Sequence, residues 1–563
     1  MRLCLLLLLP TLLCAQLSIP EHELDHRIDL SIKRLTDLDM QPAYTEDFLL
    51  ADVDLHPEDP RRFYNFSGDL SGRYIEVMSL VSPERRGSVD LDALVTKLIA
   101  EQKEDGRFGD PTLVYTAEEI GGEHMALLWG NGRLLVGLMT YYERTGNAAA
   151  LAAARKLGDF FIGTAEASRS PEIAERLRGF GAKGIICFTQ YIEGLVLLAR
   201  ATGEAQYTQA AVDAYTVLPK RGEVHTHGYL TTLRGVLMLY ELTGDAKQLA
   251  YARATFDDLL ASADYTRHGA VYEYFGGHGD RDEGCSSADF VRLAYHLGRL
   301  TGEDRYVSVA NRALLNALFY NQYPSGDFGH HYFTGDGMSA SNPRRSWWCC
   351  TMHGLMALLT VQEQEAVVTP GGVSTLQVLV SQRYTQDGKS FDLTYAGTNG
   401  ERQLYRLQIT AWDDTPLRIL QPEGVTAMEI NGVAAGEPQV PAAGDSWQIG
   451  LLYNLRFHSG EERSAGGDLP EEPTMGYLTY GPFLMGINQE DFVAEPDWGN
   501  QVSLTGVVPD TLANSLRATY RHGGYPGAHT VQLIPIAYQS YFGHPYLRVT
   551  TSYTSAIVPT SPD

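Results

Sequence analysis

The chain has 563 residues, which is long enough for two to four domains and a large hydrophobic core. Its formal net charge of −25 at pH 7 argues against a nucleic-acid partner, because the phosphate backbone would be repelled. The acidity is equally compatible with a small or neutral substrate, and it would also help to keep an exported protein in solution.

The first fifteen residues have the pattern of a secretory signal peptide. Arg2 precedes an apolar run that ends at small residues, and this run is too short to cross a bilayer. Cleavage after Ala15 is the preferred interpretation, while lipidation at Cys14 is disfavoured by the bulky Leu13 before it. No later stretch approaches the about 20 apolar residues of a transmembrane helix. We therefore expect a soluble protein exported to the periplasm or the extracellular space.

The sequence pattern predicts a succession of helices over residues 90 to about 365. Apolar residues recur at helical spacing in five segments, and four of these segments end in Thr-Gly. A glycine just past a helix end is the usual left-handed cap, and a new helical stretch follows each of these glycines. The pattern predicts repeated helical hairpins, with caps at Gly146, Gly203, Gly244 and Gly302.

Repeated hairpins can stack into an open solenoid or close into an α/α toroid. The Thr-Gly pairs are spaced too unevenly for a regular solenoid. The long inserts between hairpins hold Gly, His and aromatic residues, which is typical of loops at a toroid mouth. We predict an (α/α) barrel over residues 16–368 that includes the segment 17–85 without detailed assignment.

Beyond residue 369 the sequence changes to short alternating runs rich in β-branched and aromatic residues. Gly, Pro, Asn and Asp bound these runs, so they are interpreted as strands. We predict a β-sandwich domain over 369–475 and a C-terminal β-rich region over 476–563, and we assign no elements to 504–535. The fold class is therefore multidomain α and β, an N-terminal toroid followed by one or two β-sandwiches.

Four cysteines follow the signal region, at positions 187, 285, 349 and 350. An exported protein could use them as two disulfides. However, a bond between the adjacent Cys349 and Cys350 would close a strained ring. Unpaired thiols in an oxidising compartment need protection, which a metal can provide. Cys187 lies in an apolar stretch beside a predicted helix and is expected to be a buried free thiol.

Glu283, Cys285, Cys349 and Cys350 form a candidate zinc site. Each of the two segments lies at the predicted start of a helix, where free N–H groups and partial positive charge stabilise thiolates. Three thiolates and one carboxylate are a tetrahedral set suited to Zn²⁺. On local chemistry alone, a structural zinc that fastens the loop 286–348 is the simpler interpretation, and buried cysteines without a metal are a further alternative.

Three segments resemble the zinc-dependent β-L-arabinofuranosidase family of glycoside hydrolases: EGCSSADFVRLAYHLGRLTG, RALLNALFYNQYPSGDFG and WWCCTMHG. The specific elements are the Glu-x-Cys and the Trp-Cys-Cys doublet in this order. Weaker likenesses occur in FSGDLSGRY, LIAEQKEDGRFG, INGV and YGPFLMG. The doublet continues with Thr-Met-His-Gly where the family has Pro-Pro-Asn, so the chain resembles a divergent branch.

The resemblance implies an active-site zinc, with Cys349 as the nucleophile and Glu283, Cys285 and Cys350 completing the coordination. The activity it implies is that of an exo-acting retaining glycosidase, which releases a terminal sugar, β-L-arabinofuranose by default, from an oligosaccharide or polysaccharide fragment. Zinc and a helix N-terminus would keep such a nucleophile deprotonated.

A retaining mechanism also needs a carboxylate that acts as acid and then as base. Glu273 is the candidate, although it precedes Glu283 by fewer residues than in the family. Asp280 and Asp282 are the alternatives.

Histidines and tryptophans in the inserts suit a sugar cleft, because imidazoles bind hydroxyls and aromatic rings cover sugar faces. We select His227, His331 and Trp348 as candidate substrate-binding residues, and each of them could instead be structural. Other residues of this kind in the inserts are His225, His278, His330, His353 and Trp347.

Motifs for nucleotide binding, for a Gly-x-Ser-x-Gly hydrolase and for a His-Glu-x-x-His protease do not occur in the sequence. Two other functions stay open. One is a different toroid enzyme, an unsaturated uronyl hydrolase or a polysaccharide lyase, which would depend on Asp, His or Tyr. The other is a non-catalytic carbohydrate-binding protein whose zinc is only structural.

Overall fold

The computed structural model describes residues 19–59, 61–218, 220–222, 224–266, 269–276, 281–334, 337–459, 475–488, 503–510, 512–522, 525–542, 549–550 and 553–554. The predicted signal peptide and two candidate site residues, His278 and Asp280, lie outside these ranges.

The helices in the described part of the chain are, in order, α1 (Glu23–Thr36), α2 (Glu46–Asp54), α3 (Asp69–Leu80), α4 (Leu91–Ala100), α5 (Gly122–Thr145), α6 (Ala148–Ser168), α7 (Pro171–Arg176), α8 (Ile192–Thr202), α9 (Ala205–Tyr215), α10 (Thr226–Thr243), α11 (Ala246–Leu260), α12 (Gly284–Thr301), α13 (Asp304–Arg312), α14 (Phe319–Asn321) and α15 (Cys350–Thr360). Short 3₁₀ segments are Pro83–Arg85, Gly181–Lys183, Ile185–Thr189, Pro370–Gly372 and Ile536–Phe542, and π-helical turns are Ala313–Leu318 and Val361–Glu365.

These helices form a closed ring with two layers. In the inner layer α3, α5, α8, α10, α12 and α15 contact one another in this order, and α15 returns to contact α3. In the outer layer α6, α9, α11 and α13 each pack on the inner helix that precedes them, and α1 packs on α15. The closure of the ring confirms the predicted α/α toroid over the open solenoid.

The predicted glycine caps end four of the inner helices. Gly146, Gly203, Gly244 and Gly302 follow α5, α8, α10 and α12 in the left-handed region, with φ of 70°, 71°, 71° and 69°. Each glycine donates its backbone N–H to the carbonyl four residues earlier, at 2.7 to 2.8 Å. A side chain at these positions would be strained, so the caps explain why Thr-Gly marks the helix ends.

One helical stretch among the described residues, Ile185–Thr202, has the length and apolar composition of a membrane span. Of this stretch, 78% is buried inside the protein, as in the core helix of a globular fold.

The strands of the described residues are β1 (Gly329–Thr334), β2 (Gly337–Arg345), β3 (Val367–Val368), β4 (Ser374–Leu376), β5 (Gln382–Gln386), β6 (Lys389–Asn399), β7 (Arg402–Ala411), β8 (Leu417–Ile419), β9 (Val425–Ile430), β10 (Val433–Ala434), β11 (Ser446–Tyr453), β12 (Leu455–Ser459), β13 (Met475–Tyr480), β14 (Phe483–Asn488), β15 (Ser503–Pro509), β16 (Leu516–His522), β17 (Tyr525–Pro535), β18 (Val549–Thr550) and β19 (Tyr553–Thr554).

Two larger sheets follow the ring. One has the order β10-β9-β11-β7-β6-β5, and the other has the order β1-β2-β18-β14-β17-β16-β15-β19-β13-β12. A small sheet, β3-β4-β8, lies at the junction with the helical part. The two larger sheets contact each other through Tyr453, whose ring centroid lies 5.1 Å from that of Tyr480. This arrangement confirms a helical toroid followed by β-sandwich-like structure.

Besides the short strands β3 and β8, two groups of strands were not predicted. β15, β16 and β17 occupy residues 503–535, almost all of which lies in the segment 504–535 without assigned elements, and the β1–β2 hairpin lies between the two cysteine segments. The hairpin joins the C-terminal sheet through Ser339 and Thr550. The domain limits 16–368, 369–475 and 476–563 stay predictions. β12, which lies within the second of these ranges, pairs with β13 of the C-terminal sheet.

Candidate active site

The predicted metal ligands lie at the N-termini of two neighbouring inner helices. Glu283 is the residue before α12, and Cys285 lies in its first turn. Cys349 is the residue before α15, which begins at Cys350. Because α12 and α15 pack against each other, their N-termini bring the two segments together, and we call the four side chains the Cys₃Glu cluster.

Gly284 allows the two segments to approach. A Cβ at this position would lie 2.8 Å from both Asn321 Oδ1 and Cys350 Cβ, and 3.0 Å from Phe328 Cβ. These distances are shorter than ordinary van der Waals contacts, so only glycine fits between Glu283 and Cys285.

The donor atoms of the Cys₃Glu cluster all lie within 4.8 Å of one another. Cys285 Sγ is 3.6 Å from Cys350 Sγ, which is 3.9 Å from Cys349 Sγ. Two sulfurs bound at about 2.3 Å to one tetrahedral zinc lie about 3.8 Å apart. The sulfurs therefore have the spacing of zinc ligands, and they are too far apart for a disulfide, whose S–S bond is about 2.05 Å. The cysteines of the cluster are free, as is the buried Cys187, and the donor set fits Zn²⁺.

Protons are distributed unevenly over the cluster. Burial raises the pKa of Cys285, Cys350 and Glu283 well above their usual values. Hydrogen bonds with the thiols of Cys285 and Cys350 instead lower the pKa of Cys349 well below its usual value. Cys349 is thus the thiol of the set that loses its proton most readily. A bound dication would displace the remaining protons, because metal ligands must be deprotonated.

Cys349 is also the most accessible member of the cluster. It is 9% exposed, whereas Glu283, Cys285 and Cys350 are 5%, 1% and 0% exposed.

Glu273 lies beside the cluster. Its carboxylate, together with His225 and Glu283, offers donor atoms that are within 4.8 Å of one another. Arg281 donates to Glu273 Oε2, which lies 3.9 Å from His330 Nδ1. Backbone hydrogen bonds from Thr226 and to Arg281 hold the segment in place. The structure thus brings the predicted acid/base residue to the predicted metal site.

Asp282, the alternative acid/base residue, is placed differently. Its Oδ1 accepts the backbone N–H of His331 at 2.7 Å, and the side chain is fully buried. This carboxylate orders the backbone around the β1 strand.

His225 and His227 lie in different surroundings although they are two residues apart. His225 Nε2 is 3.6 Å from Glu283 Oε2, next to the cluster. His227 lies deeper in the barrel, where its Nδ1 bonds to Asp289 and its ring packs on that of His353 at 4.6 Å. Burial lowers the pKa of His227 to about 3, so the ring is neutral. The substrate role of His227 stays a prediction, and the position of His225 next to the cluster favours His225 for contact with a ligand.

His331 and Trp348 flank the two cysteine segments. The ring of His331 stacks on Tyr320 at a centroid distance of 4.2 Å. Trp348 is half-buried, and the Arg62 guanidinium lies 3.5 Å above its ring. Trp347, also half-buried, packs against Phe48 of α2. Trp348 is thus partly exposed beside Cys349, with one face of its ring covered by Arg62.

Arg73, which was not predicted as a site residue, lies on α3 and is buried against the cluster. Its Nη1 is 4.0 Å from Cys285 Sγ. Its Nε and Nη2 both donate to Asp69 Oδ1, at 2.9 and 2.7 Å. The only sequence signal for this residue is the FSGDLSGRY segment, one of the weaker family likenesses.

A second set of buried metal-type ligands, His227, Asp289 and His353, lies within the ring. Arg234 already binds Asp289, and Arg292 lies 3.8 Å from the same carboxylate. These guanidinium groups neutralise the only acidic ligand of the set, so the donor set does not fit a dication. We interpret it as part of an internal ionic network.

Comparisons with known proteins identify the family and the fold of the chain. The family model for the catalytic domain of GH127 β-L-arabinofuranosidases matches residues 61–363. A GH127 β-L-arabinofuranosidase from Geobacillus stearothermophilus T6 has the same fold, with a TM-score of 0.65 and 14% identity, over 95% of this chain and 99% of the other. Another GH127 β-arabinofuranosidase has a TM-score of 0.67 and 15% identity, over 95% and 96% of the two chains. No curated protein matches the chain by sequence.

The ring, the sheets and the family match define the chain as a glycoside hydrolase. More particularly, it belongs to the GH127 family of β-L-arabinofuranosidases, because the family model spans more than half of its length. The resemblance expected from the Glu-x-Cys and Cys-Cys elements is thereby confirmed, and so is an enzyme rather than a non-catalytic binding protein.

Proposed function

We propose that the protein is an exo-acting, retaining glycoside hydrolase that uses Cys349 as a zinc-bound nucleophile. The observation that carries the proposal is the spacing of the Cys₃Glu cluster, in which three sulfurs and one carboxylate surround one point at two helix N-termini. Bound zinc would hold the cysteines as thiolates and withdraw charge from their sulfurs.

In the first step Cys349 Sγ attacks the anomeric carbon of the terminal sugar. The bond to the leaving oxygen breaks, and Glu273 gives its proton to that oxygen. The product of this step is a thioglycoside between the sugar and Cys349. Arg281 and His330 position the Glu273 carboxylate for the transfer.

In the second step water attacks the same carbon from the side of the departed oxygen. Glu273 takes the proton of this water, and the C–S bond breaks to release the sugar and restore the Cys349 thiolate. Two displacements at one carbon retain the anomeric configuration. The two side chains that react are therefore one sulfur and one carboxylate on opposite sides of the sugar.

The proposed substrate is a glycan fragment with a terminal β-L-arabinofuranose, in line with the names of the related structures. We propose that Trp348 covers a face of the sugar and that His225 and His331 bind near it. Export through the signal peptide at residues 1–15 would place the enzyme where plant or other polysaccharide fragments are available.

The test is a panel of aryl glycosides, β-L-arabinofuranoside included, with anomers followed by NMR and adducts followed by intact mass. We expect retained configuration, a sugar adduct that peptide mapping places on Cys349, and loss of turnover in Cys349→Ser. Cys187→Ser is the matched control, because Cys187 is a buried free thiol outside the cluster. An inverted product, or full turnover in Cys349→Ser, would overturn the proposal.

A further inference from the structure

Arg73 faces the Cys₃Glu cluster from α3, a third inner helix. Its side chain is 2% exposed, and its Nη1 contacts Cys285 Sγ. Asp69 Oδ1 accepts two of its N–H groups, and Trp129 Nε1 donates to the same oxygen at 2.9 Å. The planar guanidinium is thus fixed on one edge by Asp69, and another edge is directed at the sulfur.

The cluster carries more negative charge than a dication can offset. Three thiolates and one carboxylate bound to Zn²⁺ leave a buried net charge of −2. Isolated buried charge is costly, and a neighbouring cation with hydrogen bonds to the anion lowers this cost. Arginine suits the task, because it stays charged when buried and presents several N–H groups in one plane.

The other buried arginines of the ring contact carboxylates away from the sulfurs. Arg133 donates to Glu193 at 2.9 Å, and Arg234 binds Glu193 and Asp289. Arg133 is buried as completely as Arg73. It therefore offers a matched comparison, a buried guanidinium of the same ring with no contact to a cluster sulfur among those described here.

We propose that Arg73 is a positioning residue of the metal site, which acts through an outer-sphere hydrogen bond to Cys285. This inference rests on the proposed function, since it assumes that the cluster binds a thiophilic dication. The guanidinium would reduce the charge on the Cys285 sulfur and hold that sulfur in line with the other three ligands. Loss of such an outer-sphere partner typically weakens metal binding about 10- to 100-fold.

The test compares Arg73→Met, Arg73→Lys and the control Arg133→Met in full-length protein. Zn²⁺ affinity is measured by competition with a chromophoric chelator, and Co²⁺ is used as a spectroscopic probe of the thiolate ligands. We expect Arg73→Met to bind Zn²⁺ about 10- to 100-fold more weakly and to shift the Co²⁺–thiolate charge-transfer band. Arg73→Lys should keep the positive charge but lose the planar guanidinium group. It should therefore change the Zn²⁺ affinity and the Co²⁺–thiolate band less than Arg73→Met does.

A purely structural Arg73 would lower the melting temperature, as Arg133→Met should, and leave the Co²⁺ spectrum of the folded protein unchanged. An unchanged Zn²⁺ affinity and an unchanged band in Arg73→Met would therefore overturn the inference. If Arg73→Met does not fold, Arg73→Lys decides by the same two readouts.

The experiment also separates this inference from the proposed function. Wild-type protein that gives no Co²⁺–thiolate band would contradict the metal site itself. Wild-type protein that binds Co²⁺ through thiolates, with no effect of Arg73 on band or affinity, would contradict the role of Arg73 alone.

Discussion

Cys285 Sγ and Cys350 Sγ lie 3.6 Å apart although the two residues are separated by 65 positions in the chain. Each sulfur belongs to the first turn of a different inner helix, so this contact joins the N-termini of α12 and α15. A metal held there would bind the folded chain only, because the unfolded chain does not present the four ligands together.

Removal of the metal should therefore destabilise the protein as well as inactivate it. A ligand that binds only the folded state adds about 4 kcal/mol when its free concentration is a thousandfold above its Kd. We expect a chelator to lower the melting temperature by several degrees and abolish turnover, and Zn²⁺ but not Mg²⁺ to restore both. Differential scanning fluorimetry with a parallel activity assay measures this, and a melting temperature indifferent to chelator and zinc would contradict the prediction.

Glu273→Gln should slow the reaction in a manner that depends on the leaving group. A general acid contributes about 10²- to 10⁴-fold, and most to substrates whose leaving oxygen is basic. For an alkyl or sugar leaving group we expect kcat/KM to fall by about that factor. For a nitrophenyl leaving group we expect a smaller fall in the rate of the first step. The measurement is the kcat/KM of a leaving-group series in wild type and variant.

Asp282→Asn is the control for this prediction. Asp282 is the alternative carboxylate, yet it accepts a backbone N–H from His331 and is fully buried. We expect Asp282→Asn to change stability more than leaving-group dependence. A steep leaving-group dependence in Asp282→Asn and none in Glu273→Gln would exchange the roles of the two residues.

Gly284→Ala should disrupt the metal site without altering any ligand. The added Cβ would lie 2.8 Å from Cys350 Cβ, which must then move together with its sulfur. Overpacking of a buried contact costs about 1 to 3 kcal/mol. We expect a lower melting temperature and weaker Zn²⁺ binding, measured by scanning fluorimetry and chelator competition.

Gly163→Ala is the matched control on another helix. Gly163 is exposed within α6, and a Cβ there meets no atom within 4 Å. Alanine in such a position stabilises a helix by about 0.5 to 1 kcal/mol. If Gly163→Ala and Gly284→Ala changed the melting temperature and Zn²⁺ binding alike, the close contact between Gly284 and Cys350 would not explain the effect of Gly284→Ala.

Local rules account for the parts of the structure that the sequence made predictable. Thr-Gly at 145–146 and at three later sites predicted helix ends, because a left-handed cap is a property of a few consecutive residues. The Cys₃Glu cluster was predictable because adjacent cysteines exclude a simple disulfide and because both segments precede helices.

Features that depend on distant partners were not predictable. His225 and His227 flank the start of α10, and only the packing of α10 in the ring turns one towards Glu283 and the other towards Asp289. Arg73 lies in one of the weaker family likenesses, but its contact with Cys285 was not predictable, because it follows from the approach of α3 to α12. The β1–β2 hairpin is likewise fixed by its pairing with β18, about 200 residues later in the chain.

Glu365 should make the stability of the protein depend on pH near neutrality. The residue follows α15 and is fully buried, with Arg299 Nε at 3.6 Å from Oε1. Among the described residues, none forms a hydrogen bond with Glu365 Oε2. Burial raises the pKa of Glu365 to about 7, although Arg299 opposes the shift. In the unfolded chain a glutamate has a pKa of about 4.3.

The folded state thus holds the Glu365 proton more tightly than the unfolded state does. The resulting contribution to stability is complete below pH of about 4.3 and is lost as the pH rises through about 7. Glu365→Gln removes the charge at every pH, so it should stabilise the protein by about 3 to 4 kcal/mol at pH 8 and have little effect at pH 4. Melting temperatures or urea midpoints of both proteins across this range measure the difference.

The exposed Glu437 provides the control, since Glu437→Gln should change stability by less than about 0.5 kcal/mol at any of these pH values. A difference between Glu365→Gln and wild type that is the same at pH 5 and pH 8 would mean that the buried carboxyl does not titrate there. In that case Arg299 would neutralise Glu365 fully. Glu365→Gln should then be less stable than wild type at every pH tested, because it leaves Arg299 with Glu241 as its remaining carboxylate partner.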